Sequence, residues 1–487
     1  MRKINYISNI FINTVIRVFY IKESRNMISK VKVLTSAILL AGLPTSTVFA
    51  AAMDRSGQSI SAFLQPGNYF EAGISVLDAD VSGKLKDNYT VTGGNANSAK
   101  SIQGSEVGDM AESYHFYNAA LKVQMTDNIS FGLIYDQPFG AKAKYSTNDK
   151  RQTDSVSLKN SEVGAFTVGD EATSVDVNTQ NLSFIFGYQP TENWNIYAGP
   201  VYQTVKGDVT LRGSAYGPFG GVNCPISACS LSSTIQGTNK NKFNGYEARI
   251  SEDSSVGWLA GAAFQIPEIA LKASVTYRSE IEHNVTPDEV MPTNSLMGGL
   301  GGIKPMVDGY QFKEGKTDVT TPQSVNVDFQ TGIMANTVAF AQLRWVDWSE
   351  FKIRPNKFGQ LASALTDKVI GDPRGFDLVA YEKDQISANV GVGRKFNDQW
   401  AGTVMVGWDS GAGNPVSTLG PTEGYWSLGL GGQFSPTPQT FIQAGVKYFW
   451  LGDAKAQVAS HFGTEEYAAN FEDNDAIGYS MKIGYRF

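Results

Sequence analysis

The stretch Ile477-Gly478-Tyr479-Ser480-Met481-Lys482-Ile483-Gly484-Tyr485-Arg486-Phe487 closes the chain and alternates throughout. Counting back by twos from Phe487 gives Tyr485, Ile483, Met481, Tyr479 and Ile477. Between them stand Arg486, Gly484, Lys482, Ser480 and Gly478. Successive side chains of a strand leave opposite faces, so this is a strand with one apolar and one small or polar environment. The edge strand of a soluble sandwich has the same period, and the upstream sequence decides between that and a wall facing lipid.

The chain has 487 residues, enough for two or three ordinary domains or one large barrel. Beyond the first 50 residues no run of 18 or more apolar residues occurs, so no transmembrane helix is expected. A β-barrel escapes that test because its strands are only half apolar. At the N-terminus, Lys30 and Lys32 precede an apolar stretch through Ala37–Ala41, followed by Val48-Phe49-Ala50-Ala51-Ala52. Positive flank, short apolar core and small residues are the parts of an export signal. Residues 1–50 are therefore expected to be a signal peptide, cleaved after Ala50 or Ala52, with Met27 as the favoured true start.

Removing residues 1–50 takes away seven Lys+Arg and one Glu, which moves the net charge from −7 to −13. An acidic mature chain argues against nucleic-acid binding. Cys224 and Cys229, separated by four residues in an exported chain, read as a local disulfide. A metal pair would need two further ligands, and the nearest histidine in sequence is His283.

The mature chain reads as hairpins. Thr126-Asp127-Asn128, Glu192-Asn193-Trp194 and Asn397-Asp398-Gln399-Trp400 are tight turns that lead into alternating strands. Strands are expected near 69–79, 113–125, 128–137, 176–189, 194–212, 256–266, 269–283, 322–333, 337–354, 379–396, 399–409, 423–434, 440–457 and 474–487. That makes about 14, an even number with short turns on one side and long connections on the other. The long connections are 80–112, 138–175, 213–255, 284–321 and 355–378. In 337–354, Ala339, Ala341, Leu343 and Trp345 oppose Gln342, Arg344, Glu350, Lys352 and Arg354. Charged rows on several strands must share one lumen, which puts lipid outside. All eight Trp fall in these segments, several near strand ends where an amphipathic ring suits the membrane interface. The expected fold is all-β: a transmembrane antiparallel β-barrel over 69–487, with a short N-terminal plug at 51–68 and long outer loops. A terminal aromatic such as Phe487 also fits reading by the barrel-assembly machinery.

Several strings resemble the FadL-type outer-membrane transporters of long-chain fatty acids and other hydrophobic compounds. They are Gly257-Trp258-Leu259-Ala260-Gly261, Val275-Thr276-Tyr277-Arg278-Ser279-Glu280, Trp345 to Phe351, Trp408-Asp409-Ser410 and Tyr425-Trp426-Ser427-Leu428-Gly429, with Phe70 to Gly83 matching the first strand. The resemblance runs from about residue 60 to the end. It implies a plugged 14-stranded barrel, a lumenal ligand site and sideways exit into the membrane at a break in the third strand. Gln137, Pro138, Phe139 and Gly140 are the lateral-gate candidates, because proline lacks a ladder N–H and glycine tolerates a bend. A plain strand end before an outer loop is the other reading. The chain departs from the family's longer hatch: where an Asn-Pro-Ala motif is expected, it carries Gln65-Pro66-Gly67.

For a carboxylate-headed ligand, Arg354, Lys206, Arg212 and Arg278 are the candidate cations, each with a structural ion pair as its other reading. Leu296, Met297, Leu300, Met306, Leu361 and Leu365 are candidate tail contacts. The expected role is passive uptake of fatty acids or similar hydrophobic molecules by a monomer in outer-membrane lipid, with no cofactor, metal or enzymatic chemistry. The alternatives are a general diffusion porin or an aromatic-hydrocarbon channel, with an adhesin or receptor role for the loop 213–255 as an addition. His115, His283 and His461 join no recognisable nucleophile constellation. Gly315-Lys316-Thr317 lacks the earlier phosphate-loop glycine, since Tyr310 stands there.

Overall fold

The computed structural model describes residues 53–87, 89–91, 100–102, 106–146, 156–158, 161–168, 170–220, 245–291, 312–461 and 463–487. Fourteen strands close into one antiparallel barrel. They are β1 Tyr69–Asp80, β2 Tyr114–Gln124, β3 Ile129–Asp136, β4 Ser174–Thr191, β5 Trp194–Thr210, β6 Glu247–Ile266 and β7 Leu271–Arg278. The second half comprises β8 Ser324–Met334, β9 Thr337–Val346, β10 Gln385–Lys395, β11 Trp400–Asp409, β12 Tyr425–Phe434, β13 Thr440–Leu451 and β14 Asp475–Arg486. The cylinder is sealed by β1 on β14, in register from Tyr69↔Arg486 to Asp80↔Asp475. Closure leaves no free edge, as a wall in hydrocarbon requires.

The alternation of the last strand is realised in space. Tyr479, Met481, Ile483 and Tyr485 face outward and are exposed, while Lys482 is buried inside. Across the seam Phe70, Ile74 and Val76 face out and Glu71 and Ser75 face in. Trp408, Trp426 and Trp450 stand in one row across β11, β12 and β13, all facing out. Such a row suits a water–lipid boundary, where the ring is buried and the indole N–H stays wet.

Several expected boundaries shift. The strand expected over 337–354 ends at Val346, so Glu350, Lys352 and Arg354 belong to an outer loop and not to the lumenal row. Trp348 leaves the wall with them; it is fully buried in that loop and is the one tryptophan outside the barrel strands. The connection 355–378, read as loop, holds helix α1, Asn356–Ile370. Its Phe358, Leu361, Ala362 and Leu365 turn into an apolar core above the barrel. That core also takes Tyr145, Phe166, Phe219, Tyr246 and Phe471 from the other outer connections, so the long loops form a packed cap. Leu361 and Leu365 are thus packing residues, while Leu296, Met297, Leu300, Met306, Cys224 and Cys229 lie outside the described residues.

Inside the closure seam, Lys482 Nζ donates to Glu71 Oε1 at 2.9 Å, and the Tyr69 hydroxyl donates to Glu71 Oε2 at 2.6 Å. All three side chains are buried. Breaking a buried pair from one side leaves an uncompensated charge. Glu71→Ala is expected to destabilise the barrel by about 3 kcal/mol, with Glu71→Ala/Lys482→Met recovering most of that. Heat-induced unfolding followed by gel mobility tests both; equal stability of wild type and Glu71→Ala would remove this pair from the seam's energetics.

Candidate functional site: the broken third strand, the plug and the cavity beside them

The wall is interrupted at the third strand. β3 pairs with β4 as far as Asp136↔Asn181, and pairing resumes at Gly140↔Asn178 on a short continuation, Gly140–Lys144. Three residues of β3 (Gln137, Pro138, Phe139) therefore face two of β4 (Thr179, Gln180), and the excess bends the strand. On its other side β3 pairs with β2 only from Ala119↔Tyr135 to Gln124↔Ser130. The upper half of β2, Tyr114 to Asn118, has no ladder partner there among the described residues. The Tyr117 backbone N–H instead donates to the Gln137 side-chain Oε1 at 2.8 Å.

The backbone groups freed by the bend are satisfied from the plug. Arg55 N–H donates to the Pro138 carbonyl at 2.6 Å, and Gly140 N–H donates to the Met53 carbonyl at 2.8 Å. Thr179 repairs the β4 side: Phe139 N–H donates to Thr179 Oγ1 at 2.9 Å, and that hydroxyl donates to the Phe139 carbonyl at 2.8 Å. The Phe139 ring is buried against Trp348, with ring centroids 5.5 Å apart. The four gate candidates thus sit together at a break within the wall, capped from inside by main chain. The plain-strand-end reading does not describe this geometry, because the strand resumes at Gly140.

Although short, the plug is well pinned. Arg344 on β9 donates from Nε to Asp54 Oδ2 at 2.6 Å and from Nη2 to Gln58 Oε1 at 2.9 Å, all buried. Ser56 donates to Asp136 at 2.8 Å, and Asn326 donates to the Gly57 carbonyl at 2.7 Å. Two lysines of the wall, Lys122 and Lys272, donate to the Gln65 and Leu64 carbonyls at 2.6 and 2.8 Å. Phe63 fits where the wall has glycines: a Cβ on Gly132 or Gly187 would come within 2.3 or 2.7 Å of its ring. Gln65-Pro66-Gly67 forms the exit of the plug toward β1, with Gly67 at φ 65°, a left-handed conformation suited to glycine.

Above the plug and beside the break lies an apolar cavity. Its floor is Met53, Asp54 and Arg55; its sides are Gly140, Val175, Val177 and Ile250; its roof is Leu378, Val379 and Leu419 of the cap. The open space is only about 60 Å³, far below the roughly 300–1,000 Å³ of a drug-sized ligand site. A ligand of that size would need the cavity to widen. Tyr381, a roof residue, keeps its phenol proton well above the usual range because it is buried.

The four cations expected from sequence do not converge on this cavity. Arg212 is buried between Glu171 and Glu247, both at 2.5 Å, and ties the cap to the rim. Lys206 stands on the exposed row of β5. Arg354 donates to Asp377 at 2.6 Å and lines an open, polar groove along α1. Arg278 does face the lumen, near Asp136 and Asp328. The cation at the cavity is Arg55, which sequence reasoning passed over. Its signal was present: a lone arginine in a short plug, between Asp54 and Ser56.

A closed barrel with a plug in its lumen and a break in its third strand is an outer-membrane transport barrel. The chain belongs to the family described as outer membrane protein transport protein (OMPP1/FadL/TodX), whose model matches residues 59–487. Among solved structures it is similar to a Pseudomonas aeruginosa FadL homologue, at TM-score 0.59 and 16% identity, covering 88% of this chain and 92% of that one. The Pseudomonas putida toluene transporter TodX is more distant, at TM-score 0.49 and 12% identity over 90% and 98% of the two chains. No curated protein matches the chain by sequence. Family and fold place it in the outer membrane; among the described residues no helix is long and apolar enough to cross a membrane.

Arg344→Ala is expected to loosen the plug by about 3 kcal/mol, since it removes the buried ion pair with Asp54 and the hydrogen bond to Gln58. Raised ion conductance in planar bilayers is the readout, and wild-type conductance would show that Arg344 is not the clamp. A second expectation concerns Glu423 in the cap. Burial, helped by Asp409 and opposed by the Gly413 N–H and Lys383, pushes its carboxyl up to about 7. The folded state then binds more protons than the unfolded one between about pH 4.5 and 7, so stability falls as pH rises through that window. Glu423→Gln is expected to remove on the order of 2 kcal/mol of that pH dependence. Thermal midpoints of both proteins at pH 5 and pH 8 test it, and parallel shifts would count against it.

Proposed function

We propose that this protein takes up hydrophobic small molecules, long-chain fatty acids or similar compounds, passively across the outer membrane. A molecule enters through the cap, occupies the cavity over the plug and leaves sideways into lipid between β2 and the bent part of β3. The observation that carries this reading is the break at Gln137–Gly140. It lies beside an apolar cavity, and its Pro138 carbonyl and Gly140 N–H are held by the plug rather than by a neighbouring wall strand. Moving the plug away from Pro138 and Gly140 would undo the inner seal without disturbing the ladder on either side.

A general diffusion porin is the competing reading. The pinned plug and the packed cap speak against it, because a water-filled pore needs neither. Family membership supports transport of hydrophobic compounds; an aromatic hydrocarbon as the natural cargo remains within it. A monomer in outer-membrane lipid, assembled through recognition of Phe487, completes the reading. Cys224 and Cys229 as a loop disulfide, and Arg278 as a lumenal cation, belong to it as well.

Deleting Pro138 equalises the count at two residues on each strand between the paired positions and lets the ladder run through. The shortened protein is expected to assemble, by gel mobility, while uptake of oleate and of toluene drops to that of cells lacking the protein. Unchanged uptake in the shortened protein would sink the lateral route. Large open-channel conductance of the wild type would favour the porin.

A further inference from the structure

We infer that Arg55 is the head-group receptor of the cavity and makes the protein selective for amphiphiles bearing a carboxylate over neutral hydrocarbons; this rests on the uptake reading above. Arg55 is only 3% exposed. One of its nitrogens, Nη1, donates to Asn178 Oδ1 at 3.0 Å, and the guanidinium carbon stacks 4.2 Å from the Tyr114 ring centre. The other edge of the fork, Nε and Nη2, is buried without a hydrogen-bond partner. Among the described residues no carboxylate stands within ion-pair distance of it. Asp54, the adjacent residue, is held by Arg344, and Asp176 accepts from Asn178 Nδ2 at 2.6 Å.

A guanidinium removed from water with no carboxylate in direct contact is a costly arrangement, and the Tyr114 side chain and the more distant Asp176 offset only part of it. The side-on Nε–Nη2 edge is the one that takes a planar carboxylate through two parallel N–H···O bonds. The cavity it lines is mostly apolar, with Val175, Val177 and Ile250 among its walls as contacts for a tail. The space for the guanidinium is itself provided by the break: a Cβ on Gly140 would lie 2.3 Å from Nη1 and 2.4 Å from the guanidinium carbon. Both unpaired groups are closed to water here, so an entering head group must displace a neighbour. A neutral hydrocarbon could fill the cavity but would leave the fork unpaired.

The test is binding of oleate, methyl oleate and oleyl alcohol to the purified full-length barrel in a non-ionic detergent, followed by intrinsic fluorescence, for wild type and Arg55→Met. The expected wild-type result is oleate tighter than either neutral analogue by about tenfold or more, the range of a charge-assisted hydrogen bond. Arg55→Met should erase the preference by weakening oleate alone. The head-group series on the wild type needs no variant, so a misfolded Arg55→Met leaves the inference testable. Equal binding of all three by the wild type overturns the receptor assignment and leaves the uptake reading standing. An Arg55→Met protein that keeps the preference also overturns it. Binding of none of the three overturns the uptake reading and this inference with it.

Discussion

The interaction on which the structure turns is the pairing of plug main chain with the bend of β3. Arg55 N–H on Pro138 and Gly140 N–H on Met53 satisfy polar groups that a barrel wall normally satisfies by its own ladder. Backbone groups left unpaired at membrane depth are expensive. The plug is therefore both a stopper and a substitute strand for the bend of β3. The bend and the plug are thereby coupled, because they share the same donors and acceptors.

That arrangement also explains why so short a plug suffices. It is held by polar contacts from several parts of the wall: Arg344 and Asn326 on one side, Asp136 beside the break, and Lys122 and Lys272 on carbonyls near its far end. Phe63 supplies the apolar anchor by occupying room that Gly132 and Gly187 leave. Such contacts specify position more than they add stability, since each charge gives up hydration to make them. A plug fixed by specificity rather than by burial of a large apolar area can be displaced by a ligand that offers its charges a better partner.

The cap above is a different physical object. Its core of Tyr145, Phe166, Phe219, Tyr246 and Phe358 is as dry as that of a soluble domain, although it is assembled from segments far apart in sequence. It closes the roof of the cavity and shields Arg55 from water. This shielding is what gives the guanidinium its leverage, because charge-assisted bonds are stronger where water is excluded.

By itself the sequence determined the barrel: period-2 rows such as Tyr479, Met481, Ile483 and Tyr485 against Lys482, and short turns alternating with long connections, follow from local geometry and need no tertiary contact. The bend was legible for the same reason, since Pro138 and Gly140 mark it by their own backbone limits. Only the tertiary structure decided where the charges went. Arg212, Arg344 and Arg278 look alike in a strand row. Which of them is saturated depends on carboxylates that the fold brings from elsewhere, such as Glu171 and Glu247 to Arg212 or Asp54 to Arg344. Helix α1 and the burial of Trp348 were missed because loop packing has no period to read. Arg55 was missed because its importance lies in what does not reach it, and the set of groups that fail to meet a side chain is fixed by the whole fold and not by its neighbours in sequence.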